Sequence, residues 1–128
     1  MANAAPTDQV DFYSKAIDVL NETEVNNMAT VMVAAHGRID YAANCAGILS
    51  ENQRSHETSV DTFDRINGVN YRGCWLSSRA EIKQMLKQDP LPTHDGRPGS
   101  RGSIVNIASQ LGIVGRPAAG THADESLD

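Results

Sequence analysis

Apolar residues recur along this chain with two different periods, and the change from one to the other sets the expected elements. Val25, Met28, Ala29, Met32 and Val33 fall at helical spacing. Asn21 precedes them as an N-cap with Glu24 as its capping-box partner, and Gly37 follows His36 as a C-terminal stop. Residues 15–19 and 39–43 form shorter runs on either side and read as strands, which makes the opening strand, helix, strand. Residues 51–59 are polar and predict a loop, and Ser59 then caps a second helix carrying Phe63, Ile66, Val69, Leu76 and Met85. Gly68 and Gly73 each weaken that helix by about 1 kcal/mol relative to alanine, so a kink or a close packing contact is expected near Asn70. Residues 89–101, with Pro90, Pro92, Gly96, Pro98 and Gly99, predict a long loop. Its Arg97 and Arg101 form a local basic spot that reads as solvated.

Residues 103–108 are a short run rich in β-branched side chains, entered from Gly102, and read as a fully buried strand of a parallel sheet. That run ends at Ser109, where a strand opens into a loop. Ligands of open α/β sheets bind just beyond the carboxyl ends of the strands, so a hydroxyl here is placed to touch a substrate. The competing reading is that Ser109 caps a turn.

The pattern as a whole is α/β, part of a doubly wound parallel sheet. With 128 residues the chain holds one domain at most, and residues 1–12 and 121–128 read as loose ends. A net charge of −5, and few aromatics with no basic residues interleaved among them, argue against a nucleic-acid partner. Cys45 and Cys74 lie far apart and read as free thiols of a reduced compartment. No apolar run, residues 28–35 included, is long enough to cross a bilayer, and the first residues lack a secretory pattern, so a cytoplasmic chain with no membrane partner is expected. His36, His56 and His94 show no metal-ligand spacing, and no metal is expected.

Four segments, in order, resemble the short-chain dehydrogenase/reductase family. Asp18-Val19 resembles the pair that borders the adenine, and Asn44-Cys45-Ala46-Gly47 resembles the Asn-Asn-Ala-Gly motif. Val69-Asn70-Tyr71-Arg72-Gly73 resembles Val-Asn-x-x-Gly, and residues 104–112 resemble the strand bearing the active-site serine. The likeness spans residues 17–120, and the Pro/Gly loop resembles reductases of fungal secondary metabolism. The resemblance implies a Rossmann-type fold and hydride transfer between NADP or NAD and an alcohol or carbonyl. It implies that Asp18 accepts from the adenine amino group beside Val19, and that Asn44, Ala46 and Gly47 lie against the ribose. It implies further that Asn70 holds a water in a proton relay, that Ser109 bonds the reacting oxygen, and that Arg79 lies near the cofactor. The implied partners are a small-molecule carbonyl or alcohol and, among proteins, a second copy of the chain or an intact paralogue.

The sequence also departs from that family. The strand and Gly-rich turn Thr-Gly-x-x-x-Gly-x-Gly are missing, so the expected sheet is partial, lacking that first unit and the C-terminal strands. In the register of Tyr-x-x-x-Lys stand His122 and Ser126, with Asp124 and Glu125 between them. A histidine can shuttle protons, but no cation replaces the lysine, and nearby carboxylates raise rather than lower the pKa of an acid. The change after Gly120 reads as a chain cut or rejoined outside the family frame, with apolar sheet edges left exposed. The alternative to an oxidoreductase is a catalytically inactive remnant, either inert or serving as an interaction partner of an intact paralogue.

Overall fold

The computed structural model describes residues 13–114. Its main elements are α1 (Glu22–His36), β1 (Tyr41–Asn44), α2 (Val60–Asn67), a π-helical turn (Gly68–Gly73), α3 (Cys74–Met85) and β2 (Ser103–Asn106). Short 3₁₀ turns at Ser55–Glu57 and Gln110–Gly112 complete them.

The ends of α1 follow the sequence pattern. Asn21 Oδ1 accepts from the N–H groups of Thr23 at 3.0 Å and Glu24 at 3.3 Å. Gly37, at φ 81°, donates its N–H to the Val33 carbonyl, a left-handed stop that glycine adopts without steric cost. Glu24 does not close the expected reciprocal box on the Asn21 N–H. Its carboxylate accepts instead from Asn21 Nδ2 and, at 2.8 Å, from the Asp18 N–H, so it braces the segment entering the helix.

That segment is not the strand expected over residues 15–19. Asp18 Oδ1 accepts from the Leu20 N–H, and the Asp18 carbonyl accepts from the Asn21 N–H. Backbone groups that a ladder would use are spent on a turn, the usual competition offered by an aspartate side chain.

β1 and β2 pair in parallel, with Tyr41 opposite Ser103 and Asn44 opposite Asn106. α3 packs against both strands. Along β1 the exposed Tyr41 and Ala43 alternate with the half-buried Ala42 and Asn44, so one face is covered and the other open. β2 is therefore not the fully buried strand expected, for Val105 is 55% and Ile107 62% exposed. Among the described residues the sheet has two strands, and a parallel pair covered on one side leaves every second side chain in solvent.

The apolar core joins Val25 and Ala29 of α1 to Leu76 and Ala80 of α3, with Ile17 and Ile39 packed against it. α2, the π turn and α3 run on through backbone that stays right-handed helical at Gly68 and Gly73. Close packing rather than a break explains the second glycine. A Cβ on Gly73 would stand 2.8 Å from Val19 Cγ2, and one on Gly68 would stand 3.5 Å from Leu20 Cδ2.

The long loop closes on itself through a 2.8 Å bond from the Leu91 N–H to the Ser100 carbonyl. Gln88 fastens it to the sheet: its Oε1 accepts from the Ile39 N–H at 2.7 Å, and its Nε2 donates to the Ile39 and Arg101 carbonyls. Two glycines here face different obstacles. A Cβ on Gly99 would fall 1.7 Å from the Leu91 carbonyl oxygen, while one on Gly102 would meet the mobile end of Met85, with Sδ at 2.6 Å. Backbone cannot yield as a thioether can. Gly102→Ala is expected to cost about 1–3 kcal/mol, the ordinary cost of overpacking, and Gly99→Ala to cost more, as read from chemical denaturation of the two variants. Equal midpoints would contradict this ordering.

Candidate active site

The π turn brings three of the sequence-predicted residues together, Asn70 with Gly47 on one side and Val19 on the other. Asn70 Oδ1 accepts from the Ile48 N–H at 2.8 Å and Asn70 Nδ2 donates to the Ile48 carbonyl at 2.9 Å, so both ends of the amide grip one residue of the loop after β1. Gly47 lies beside it, and its Cβ would be an ordinary 3.5 Å from Asn70 Oδ1. On the other side of the turn Gly73 admits Val19, and Arg72 donates to the Leu20 carbonyl at 3.2 Å. One widened helical turn thus holds both the 18–20 turn and the 44–48 loop. Such π turns recur at functional sites, because an extra residue displaces the regular i→i+4 ladder.

Asn44 ends β1 with its side chain turned into the protein. Its Nδ2 lies 3.0 Å from Glu81 Oε2, 2.9 Å from Asn106 Oδ1 and 3.2 Å from Ser78 Oγ. Ala46 and Gly47 beyond it are exposed and small, so the loop presents mainly backbone to solvent. Asp18 is exposed, with one carboxylate oxygen engaged by the Leu20 N–H, and Val19 is half-buried.

Ser109 lies three residues past Asn106, at the same carboxyl end of the sheet, and its Oγ accepts from the Leu111 N–H at 3.2 Å. It does cap a turn, as the competing reading held. The cap uses one lone pair, and a hydroxyl keeps its proton to donate elsewhere. Arg79 stands apart from this group. Its Nη1 pairs with Glu22 at 2.7 Å, and its guanidinium lies 5.2 Å from the Trp75 ring centre, tying α3 to the start of α1. His122 and Ser126 lie outside the described residues. Among the described residues no group of three His, Cys, Asp or Glu could hold a metal ion, and no helix is long and apolar enough to cross a membrane.

Glu81 was not singled out from the sequence, yet it is 4% exposed. A signal was present: Ser77, Glu81, Met85 and Gln88 recur at helical spacing on one buried face, an unusual place for a carboxylate. Burial pushes the Glu81 carboxyl above its ordinary value of 4.5, against the smaller, opposing pull of the Asn44 hydrogen bond. A raised folded-state pKa means that the native protein binds the proton more tightly than the unfolded chain does. Its stabilising contribution is complete below the unfolded value and is lost as pH rises through the folded one. Glu81→Gln removes this dependence, so the melting temperature of the variant minus that of the wild type should be larger at pH 8 than at pH 4. A difference that is flat across that range would show that Glu81 titrates normally.

The model of the family described as short chain dehydrogenase matches residues 1–123. The chain is 39% identical over 106 residues to the short-chain dehydrogenase srdC of Neurospora crassa, covering 80% of this chain and 39% of that one. It is 34% identical over 117 residues to the short-chain dehydrogenase fogB of Aspergillus ruber, covering 88% and 43%. Against the cyclopentanol dehydrogenase of Comamonas testosteroni it is 33% identical over 106 residues, covering 83% and 38%. Among solved structures it resembles ElxO with NADP bound, at a TM-score of 0.68 and 28% identity, over 83% of this chain and 38% of that one. A short chain dehydrogenase from Mycobacterium smegmatis gives a TM-score of 0.70 at 26% identity, over 83% and 40%. The chain thus spans about two-fifths of the length of these relatives, and it belongs to the short-chain dehydrogenase family.

Proposed function

We propose that this chain supplies the adenosine side of a nicotinamide dinucleotide site, together with the serine that meets the reacting oxygen. The oxidoreductase so formed passes hydride between NADP(H) or NAD(H) and the carbonyl or alcohol of a small, secondary-metabolite-like substrate. The observation that carries this is the π turn, which gathers the 18–20 turn and the 44–48 loop on one side of the carboxyl end of the sheet.

The residues present fit the adenosine end of such a cofactor. Asp18 offers an exposed carboxylate to an amino group with Val19 beside it. Ala46 and Gly47 allow a ribose to approach backbone, the use that small residues serve in such turns. Asn44 supports that loop from within, because its side chain is engaged behind it. The first turn of α1 carries Glu22 and Glu24 and so does not suit a pyrophosphate. Arg79, paired with Glu22 and lying over Trp75, fastens α1 to α3.

Bound at such a site, the nicotinamide would supply or take up hydride. The chain's own part is to orient and to stabilise charge. Ser109 donates its hydroxyl proton to the substrate oxygen while its lone pair stays on the Leu111 N–H, which fixes the Oγ in advance. The Asn70 amide grips Ile48 with one acceptor and one donor and keeps a second Nδ2 proton and a second Oδ1 lone pair with which it would hold a relay water. The second reading, a non-catalytic remnant, is supported by His122 and Ser126 in the tyrosine and lysine register.

Thermal melts with NADPH or NADH separate the two. At a hundred times Kd a ligand that binds only the native state adds about 2.7 kcal/mol, so one cofactor should raise the transition by several degrees. Ala46→Leu, at an exposed position, should leave the melt without cofactor within about 0.5 kcal/mol and abolish that rise. Where carbonyl reduction is measurable, Ser109→Ala should lower kcat by about 10²–10³-fold. A melt indifferent to both cofactors would sink the enzyme reading in favour of the remnant.

A further inference from the structure

Four polar side chains meet where α3 passes under the ends of both strands, and their donors and acceptors can be counted. Asn44 Nδ2 has two protons, and Ser78 Oγ has one. Asn44 reaches Glu81 Oε2 at 3.0 Å and Asn106 Oδ1 at 2.9 Å, and Ser78 Oγ reaches the same Asn106 oxygen at 3.1 Å. Asn44 Nδ2 also lies 3.2 Å from Ser78 Oγ, so its two protons have three acceptors in reach, of which Asn106 Oδ1 and Glu81 Oε2 are the nearer two. An ionised carboxylate only accepts, so Glu81 dictates which way the Asn44 amide faces, and Asn44 in turn fixes Asn106. None of the ion pairs among the described residues includes Glu81, so its bond to Asn44 is not diluted by a nearby cation.

Asn44 and Asn106 are register partners at the last rung of the ladder, and the next rung is closed by the Ile107 N–H on the Asn44 carbonyl at 3.0 Å. The 45–47 loop leaves from one of them, and the segment leading to Ser109 leaves from the other. We infer that Glu81, with Ser78, is a positioning residue: a polar clamp on α3 that sets the spacing between the 45–47 loop and the Ser109 segment. The inference rests on the function proposed above for those two segments. Glu81 touches neither cofactor nor substrate and acts through the two asparagines.

The test uses the whole chain, labelled with ¹⁵N, in the variants Glu81→Leu, Glu81→Gln and Ser78→Ala. Val25→Ala serves as a control that loosens the core away from the clamp. Leucine removes the acceptor at similar volume, whereas glutamine keeps an oxygen that Asn44 can still reach. In Glu81→Leu the side-chain amide signals of Asn44 and Asn106, and the backbone amides of residues 45–47 and 107–109, are expected to shift beyond anything seen in Val25→Ala. NADPH should bind about tenfold more weakly, because the 45–47 loop would then have to be ordered at the moment of binding. Glu81→Gln should restore both signals and affinity. Signals in Glu81→Leu no different from those of Val25→Ala, or no rescue by glutamine, would overturn the clamp. Should Glu81→Leu not fold, Ser78→Ala decides: a shift at Asn106 and residues 107–109 sustains the clamp, and unmoved signals refute it. A wild-type chain that shows these shifts on mutation yet binds no NADPH would leave the clamp standing and remove the cofactor reading.

Discussion

Two side-chain amides hold β1 at its ends in the same way. Gln88 accepts from the N–H and donates to the carbonyl of Ile39 before the strand, and Asn70 does the same to Ile48 after it. Pairing both backbone groups of one residue is what a neighbouring strand would do, and a carboxamide has the donor and acceptor to imitate it. Among the described residues the sheet is a two-stranded pair, which alone is marginal in water, and these grips add to what holds it. Asn70 sits in the π turn that leads into α3 and Gln88 three residues past the end of α3, so the two grips flank the helix that carries Leu76 and Ala80 of the apolar core.

The π turn carries two contacts. Asn70 faces the 47–48 loop and Gly73, three residues on, faces Val19. The widened turn makes both without interrupting right-handed helical backbone. Gly73 is required because Val19 lies against the helix there, whereas at Gly68 a Cβ would make only an ordinary contact with Leu20.

Elements defined by local chemistry were legible in the sequence, and those defined by neighbours were not. The Asn21 cap, the Gly37 stop and the Ser59 cap depend on a few adjacent residues, and each appears where the pattern places it. The irregularity around Asn70 was readable because glycine at two helical positions costs stability that something must offset. The 15–19 segment was misread because its apolar pattern suits a strand, while the Asp18 carboxylate and the Glu24 brace settle it as a lead-in to α1. Exposure of Val105 and Ile107 was misread for a related reason: β-branched runs report what a strand could bury, not what lies against it. In the site, motif order singled out Asn44 and Asn70 but said nothing of where their amides point. Both amides bond to neighbouring protein groups, Asn44 to Glu81 and Asn106 and Asn70 to Ile48. The partner that orients Asn44, Glu81, carries no motif, and only its place on a buried helical face marks it.

This division of labour bears on how the site would act. The 45–47 loop is held by Asn44 on one side and Asn70 on the other, and the segment to Ser109 leaves from a rung pinned by Asn106. Ordering a loop at the moment of binding costs about 0.5–1.5 kcal/mol for each side chain immobilised, and here much of that ordering is complete beforehand. A nucleotide would therefore meet a surface of backbone and small residues already in place, with the polar side chains that fix it spent behind that surface. The same economy explains why Cys45 can stand at the motif's second position: it is exposed, and the loop is held by its neighbours' amides. What the site asks of the 44–47 stretch is one inward-facing amide followed by unobstructed backbone, and this chain keeps both.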